Sequence, residues 1–177
     1  MPTRIDLLVG NFQETVKQLQ TYMVTALGAA AFFVVLATSS VKEVQMQAPA
    51  VGSSLPVPTT IAIAIALAVS WAASAMATLL VDRARRLADV IHREDAVLFD
   101  AILSYPSTAT LKSAGPRLFL ALAPAALMLI GAVAFWGMQL ATYWRVVGVV
   151  ALLLPSLILA YELRAAIGGD HASQWHG

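Results

Sequence analysis

Four long stretches of this 177-residue chain, residues 22–40, 58–81, 118–140 and 146–161, contain no Asp, Glu, Lys, Arg or His. A bilayer core about 30 Å thick is crossed by roughly 20 apolar residues rising 1.5 Å each, so each run predicts a transmembrane α-helix. The fourth run is the shortest. It is bracketed by Arg145 and Glu162, and Tyr143 and Trp144 before it are the aromatic pair expected at a membrane interface. The alternation Ile61-Ala62-Ile63-Ala64-Ile65-Ala66 has the period of a strand, yet it lies inside an uncharged run where only a helix satisfies its own backbone. With 59% hydrophobic and 12% charged residues, little is left for a separate soluble domain. The fold class is therefore all-α: a polytopic membrane protein, residues 1–177 forming a single four-helix membrane domain.

Orientation follows from the positions of Lys and Arg. Arg4, Lys17, Arg83, Arg85, Arg86, Arg93, Lys112, Arg117 and Arg164 precede the first run, separate the second from the third, or follow the fourth. Only Lys42 and Arg145 fall on the other side. By the positive-inside rule both termini are expected in the cytoplasm, with the tail 164–177 there too, and the expected host is a bacterial inner (plasma) membrane. A cleaved signal peptide competes for the N-terminal region, but the apolar run begins only at residue 22, behind the acidic Asp6 and Glu14, so an uncleaved first span is expected.

Two segments outside the runs are amphipathic. In residues 4–20, Ile5, Leu8, Val9, Phe12, Val16 and Leu19 share one helical stripe, with Asp6, Gln13, Glu14, Lys17 and Gln18 on the other side. In residues 82–104, Leu87, Val90, Ile91, Leu98, Ala101 and Ile102 form the apolar face, and Asp82/Arg86, Arg85/Asp89 and Asp89/Arg93 are spaced as i,i+4 charge pairs. No proline separates either segment from its neighbouring span. Each stripe could lie flat among lipid headgroups, or the two helices could extend spans one and two into the cytoplasm and cover each other's apolar faces. The return segment 105–116, with Pro106, Gly115 and Pro116, stretches to about 40 Å at roughly 3.3 Å per residue, enough to regain the membrane from the tip.

Polar chemistry inside the spans is sparse. The absence of ionisable residues from their middles argues against proton relays and ion-coupled carriers. Zero cysteines exclude disulfides, thiolate ligands and thiol nucleophiles. His92 and Glu94 point to different faces of a helix, and His171 and His176 sit in a Gly-rich tail, so neither a metal site nor a cofactor site is expected. Span two carries the small-residue strip Ala62, Ala66, Ser70, Ala73 and Ala77, with Ser74 beside it, suited to packing within the chain or to an oligomer seam. Glu94 falls within an apolar stripe and calls for a salt bridge to Arg4, Lys17 or a neighbouring subunit. Arg83, Arg85 and Arg86 stand where span two leaves the membrane, placed to contact anionic lipid headgroups. They form no extended basic face and no aromatic residue interleaves with them, which argues against nucleic acid. Pro124 and Pro155 should kink spans three and four by freeing the carbonyls of Leu120 and Ala151.

No catalytic pairing emerges, so the expected function is non-enzymatic: a scaffold, an accessory subunit of a larger membrane assembly, or a homo-oligomer surrounded by membrane lipids. An uncoupled channel or small-solute pathway formed by an oligomer is the alternative, and a lipid-modifying enzyme the third reading. Reporter fusions at the N-terminus, near Ser107 and after Gly177 should all read cytoplasmic, and one near Ser53 external; an external signal at Ser107 would contradict four spans.

Overall fold

The computed structural model describes residues 4–48, 53–103, 114–136 and 143–166. In chain order these form α1 (Arg4–Thr38), β1 (Glu43–Ala48), β2 (Ser53–Pro58), α2 (Thr59–Glu94), α3 (Ala96–Leu103), α4 (Ala114–Trp136) and α5 (Tyr143–Ala166). Three helices are long and apolar enough to cross a membrane, as an integral membrane protein requires: α1, α2, and α5 over Val146–Leu163. The apolar part of α4, Phe119–Ala134, is shorter. The mostly helical fold thus follows the sequence reading, with three helices meeting the length criterion where four spans were expected.

α1 and α2 are each one unbroken helix, so the apolar run continues into the amphipathic segment 4–20 in α1 and into residues 82–94 in α2. α1 ends where hydroxyl side chains take over its last carbonyls: Thr38 Oγ1 donates to Val34 O at 2.9 Å and Ser39 Oγ to Leu36 O at 3.0 Å. The segment 82–104, expected as one helix, is two. Asp95 adopts an extended backbone (φ −155°, ψ 97°), its N–H closing α2 on Ile91 O at 2.8 Å. Its carboxylate then accepts the Leu98 N–H at 2.9 Å. An aspartate is among the strongest helix N-caps, and here that local preference overrides the apolar periodicity that runs across it.

The four long helices form a closed ring in the order α1, α2, α5, α4, each packing on two neighbours. α1 and α2 are antiparallel, joined from Arg4–Glu94 at one end through Ala26–Ser70 to Val41–Thr59 at the other. α2 and α5 run parallel, with Trp71, Ser74 and Arg85 meeting Ala151, Ser156 and Glu162 in turn. One large core joins Phe12, Val16, Leu19 and Met23 of α1 to Ala77, Leu80, Val81, Ala84 and Ile91 of α2, with Ala121 of α4 and Leu159, Ala160 and Leu163 of α5. Phe12, Val16 and Leu19 of one stripe and Ile91 of the other are therefore buried together, while Ala101 of the second stripe is exposed. Leu8, Val9, Leu87, Phe99 and Ile102 pack around the same cluster, so α3 folds back onto it. Burying a Leu or Phe side chain is worth about 1.5–3 kcal/mol, which makes this shared face the main bond between the rods.

At the opposite end a smaller core gathers Phe33, Leu36, Ala62, Ile63 and Ala66. Above it sits the β1–β2 hairpin, which departs from the all-α expectation and whose first strand, Glu43–Ala48, alternates polar and apolar residues. Its register pairs Glu43 with Pro58 and Val44 with Val57, and Val44 and Val57 pack onto this core. Thr59 N–H donates to Lys42 O at 3.0 Å, which makes Thr59/Lys42, and by alternation Val57/Val44, the hydrogen-bonded pairs. Pro56 and Pro58 then fall where a strand N–H would face the free edge, so their missing donors cost the ladder nothing and deny that edge to another strand.

α4 reaches α1 through Gly131. A Cβ there would lie 2.6 Å from Phe33 Cε1, and Phe33 is 1% exposed, so its ring has nowhere to retreat. Gly131→Ala should destabilise the folded protein by about 1–3 kcal/mol in a denaturant titration, the range for overpacking a filled core, while Gly148→Ala, with open space around it, should not.

Candidate functional site

The α2–α5 seam carries a line of polar contacts, including two of the four buried polar side chains among the described residues. Trp71, Ser74, Thr78 and Arg85 recur on α2 at helical spacing, so one face carries an indole N–H, two hydroxyls and a guanidinium towards α5. Ser74 Oγ and Ser156 Oγ meet at 3.2 Å, both fully buried. Thr78 Oγ1 donates to Ser74 O at 3.0 Å and is satisfied within its own helix. Beyond them Arg85 Nη1 stands 3.6 Å from Glu162 Oε2, each side chain about 30% exposed. The Arg85 Nη2 atom is enclosed without a hydrogen-bond partner.

Trp71 carries the most informative contact. Pro155 has no N–H, so the carbonyl of Ala151, one turn earlier, loses its intrahelical donor. Trp71 Nε1 donates to that carbonyl at 3.3 Å. Tryptophan in membrane helices is enriched at the interfaces, whereas Trp71 lies 12 residues into α2, about 18 Å from its start at 1.5 Å per residue. Its N–H needs an acceptor at that depth and the Ala151 carbonyl needs a donor; the two needs are met together.

The residues singled out by sequence are dispersed. Arg83 is exposed on α2; Arg86 pairs back to Asp82 at 2.8 Å; Arg85 turns across to α5 instead of taking Asp89 as its i,i+4 partner. Helical spacing explains why Arg85 departs, because it lies two residues from Arg83 and one from Arg86 and so points to a different face. Glu94 Oε1 lies 3.2 Å from Arg4 Nη2 at the far end of the α1–α2 pair, a mostly exposed contact of the kind worth about 0–1 kcal/mol. Pro124 and Pro155 are both buried, in the neighbouring helices α4 and α5. His92 stacks edge-on against Phe99, ring centroids 5.0 Å apart. Among the described residues no three His, Asp or Glu side chains gather as a metal site. His171, His176 and the tail 167–177 lie outside the described residues.

The small-residue strip of α2 faces inward. Ala62, Ala66, Ser70, Ala73, Ser74 and Ala77 are all buried within the chain, and Ser70 Oγ donates to Ala26 O of α1 at 2.9 Å. Sequence reasoning missed the partners of this seam: Ser156, Glu162 and above all Trp71, whose depth in an uncharged run was the available signal.

The seam's chemistry is that of packing. Two serine hydroxyls facing each other supply no general base, and the ion pair is separated from them by a helical turn or more. Ser70→Leu should lower the stability of the single subunit by about 1–3 kcal/mol, measured by denaturant titration in micelles, since the added carbons enter a filled α1–α2 contact; an unchanged midpoint would contradict that contact. No family model, curated protein or solved structure matches this chain.

Proposed function

We propose that the chain is a non-enzymatic scaffold or accessory subunit of a bacterial inner (plasma) membrane, working as a homo-oligomer or beside another membrane protein. One observation carries this reading: the buried hydroxyls of Thr15, Ser70, Ser74 and Ser156 are all hydrogen-bonded within the chain, while large apolar residues point outward on all four long helices. Val24 and Val35 on α1, Ile61, Ile65 and Leu79 on α2, Phe119, Leu129 and Ile130 on α4, and Val150, Leu154 and Leu157 on α5 are exposed. A soluble monomer rarely carries so extensive an apolar surface, and in a bilayer that surface meets lipid or another apolar helix.

Four spans with both termini cytoplasmic fit this surface. α4 is 23 residues long, about 34 Å at 1.5 Å per residue, and carries the same outward apolar residues as the other three. The distribution of Lys and Arg supports a cytoplasmic position for the end bearing Arg4, Glu94 and α3, and an external one for the hairpin. Arg83 and Arg86 at that boundary suit anionic lipid headgroups, at about 1 kcal/mol per basic residue.

Native mass measurement on protein extracted in mild detergent should show a defined oligomer or a retained partner, and reconstituted liposomes should show no ion flux above empty controls. A bare monomer would contradict the scaffold reading, and flux abolished by substitutions on outward helix faces would establish the pore formed between subunits instead.

A further inference from the structure

α5 changes character at Pro155. On one side, over residues 146–154, none of its residues is buried; on the other, Pro155, Ser156, Leu159, Ala160 and Leu163 all are. The inner half is fastened to α2 twice more, by Ser156 to Ser74 and by Glu162 to Arg85. The outer half leans on its neighbours without interlocking: Val146, Val147, Val150 and Leu154 are exposed, and a Cβ at Gly148 would meet open space. At the same level the other helices are tightly packed, with Ala30 and Phe33 of α1, Ala66 and Ser70 of α2, and Met128 and Ala132 of α4 buried.

We infer that α5 is two segments hinged at Pro155, the outer segment a movable arm that Trp71 latches to α2 through the Ala151 carbonyl. A proline removes one hydrogen bond and puts its ring against the preceding turn, so the helix is weakest where burial also stops. The Trp71 N–H is the hydrogen bond that ties the arm to α2 among the described residues, and it lands on the carbonyl that the hinge itself has freed. With the latch made, that carbonyl is satisfied and the arm lies against α2. With it broken, donor and acceptor both lose their partner in an apolar setting, so the latch biases the arm towards its place against α2. The inner half of α5 stays docked in either state, because its buried side chains and both its polar ties lie beyond the hinge.

Hydrogen exchange read by mass spectrometry on the full chain in lipid nanodiscs tests this. Trp71→Phe keeps an aromatic side chain and removes the N–H together with the five-membered part of the indole, a size change common to the wild-type and Pro155→Ala backgrounds. Exchange over 147–154 should rise about threefold, the equivalent of an average interhelical hydrogen bond in a membrane protein, with 157–163 unchanged. In Pro155→Ala the new N–H at position 155 supplies the Ala151 carbonyl, so adding Trp71→Phe on that background should leave exchange over 147–154 unchanged. No rise in the single variant, an equal rise in both halves of α5, or the same rise on both backgrounds would each overturn the inference. Should Pro155→Ala not fold, the contrast between the two halves in Trp71→Phe alone decides it.

Discussion

A peptide N–H or C=O left without a partner in hydrocarbon costs several kcal/mol, and this single constraint organises the chain. It demands helices for the apolar runs, including the alternating Ile-Ala stretch at the start of α2 that looks like a strand by pattern. It also explains the polar detail. Thr15, Thr21, Thr25 and Thr78 return their hydroxyls to carbonyls four residues back, Ser70 reaches Ala26 O, and Ser74 meets Ser156. The backbone fault created by Pro155 recruits Trp71 from the next helix. Small side chains make these contacts available: Ala, Ser and Gly at the helix crossings let backbones approach, as Gly131 does against Phe33.

The second organising feature is that α1 and α2 share one face from end to end. The core that begins at Ala77 and Met23 continues without interruption to Phe12 and Ile91, so the amphipathic ends and the apolar middles are buried in one cluster. Each rod is therefore braced over its whole length. The hairpin closes one end, tied through Thr59 to Val41 and Lys42, and Asp95 closes the other by turning the chain into α3. The proposed scaffold would thus project its charged end as a rigid extension of the membrane bundle.

Much of this was legible in the residues, and the exceptions have physical causes. The long helices follow from uncharged runs and 3.6-residue periodicity, which are strong local signals. The stripe on α1 matched that on α2 because each needed an apolar cover that water could not give. The break at Asp95 was obscured because one capping carboxylate outweighs a periodic pattern that continues past it. The hairpin was missed although Glu43-Val44-Gln45-Met46-Gln47-Ala48 alternates polar and apolar residues with the period of a strand, a short signal whose partner strand carries Pro56 and Pro58; its anchor, the contact of Val44 and Val57 with the α1–α2 core, is tertiary. The site was less legible still. Sequence located Pro155 and named the carbonyl it frees, but the donor lies 80 residues away in the chain, and only the parallel packing of α2 on α5 brings Trp71 to it. Arg85 was assigned to Asp89 by helical spacing, whereas Glu162 became available only through the same packing.

The central claim of the proposal is that four helices, α4 among them, present their apolar outer faces to lipid. The absence of native cysteine allows single spin-labelled cysteines to be placed without background at Val24, Leu79, Ile130 and Leu154, one on each long helix, with Lys17 as a polar reference. Paramagnetic accessibility in liposomes should show all four apolar sites open to oxygen and shielded from a water-soluble nickel complex, and Lys17 the reverse. Nickel accessibility at Ile130 equal to that at Lys17 would remove α4 from the membrane and contradict the four-helix account.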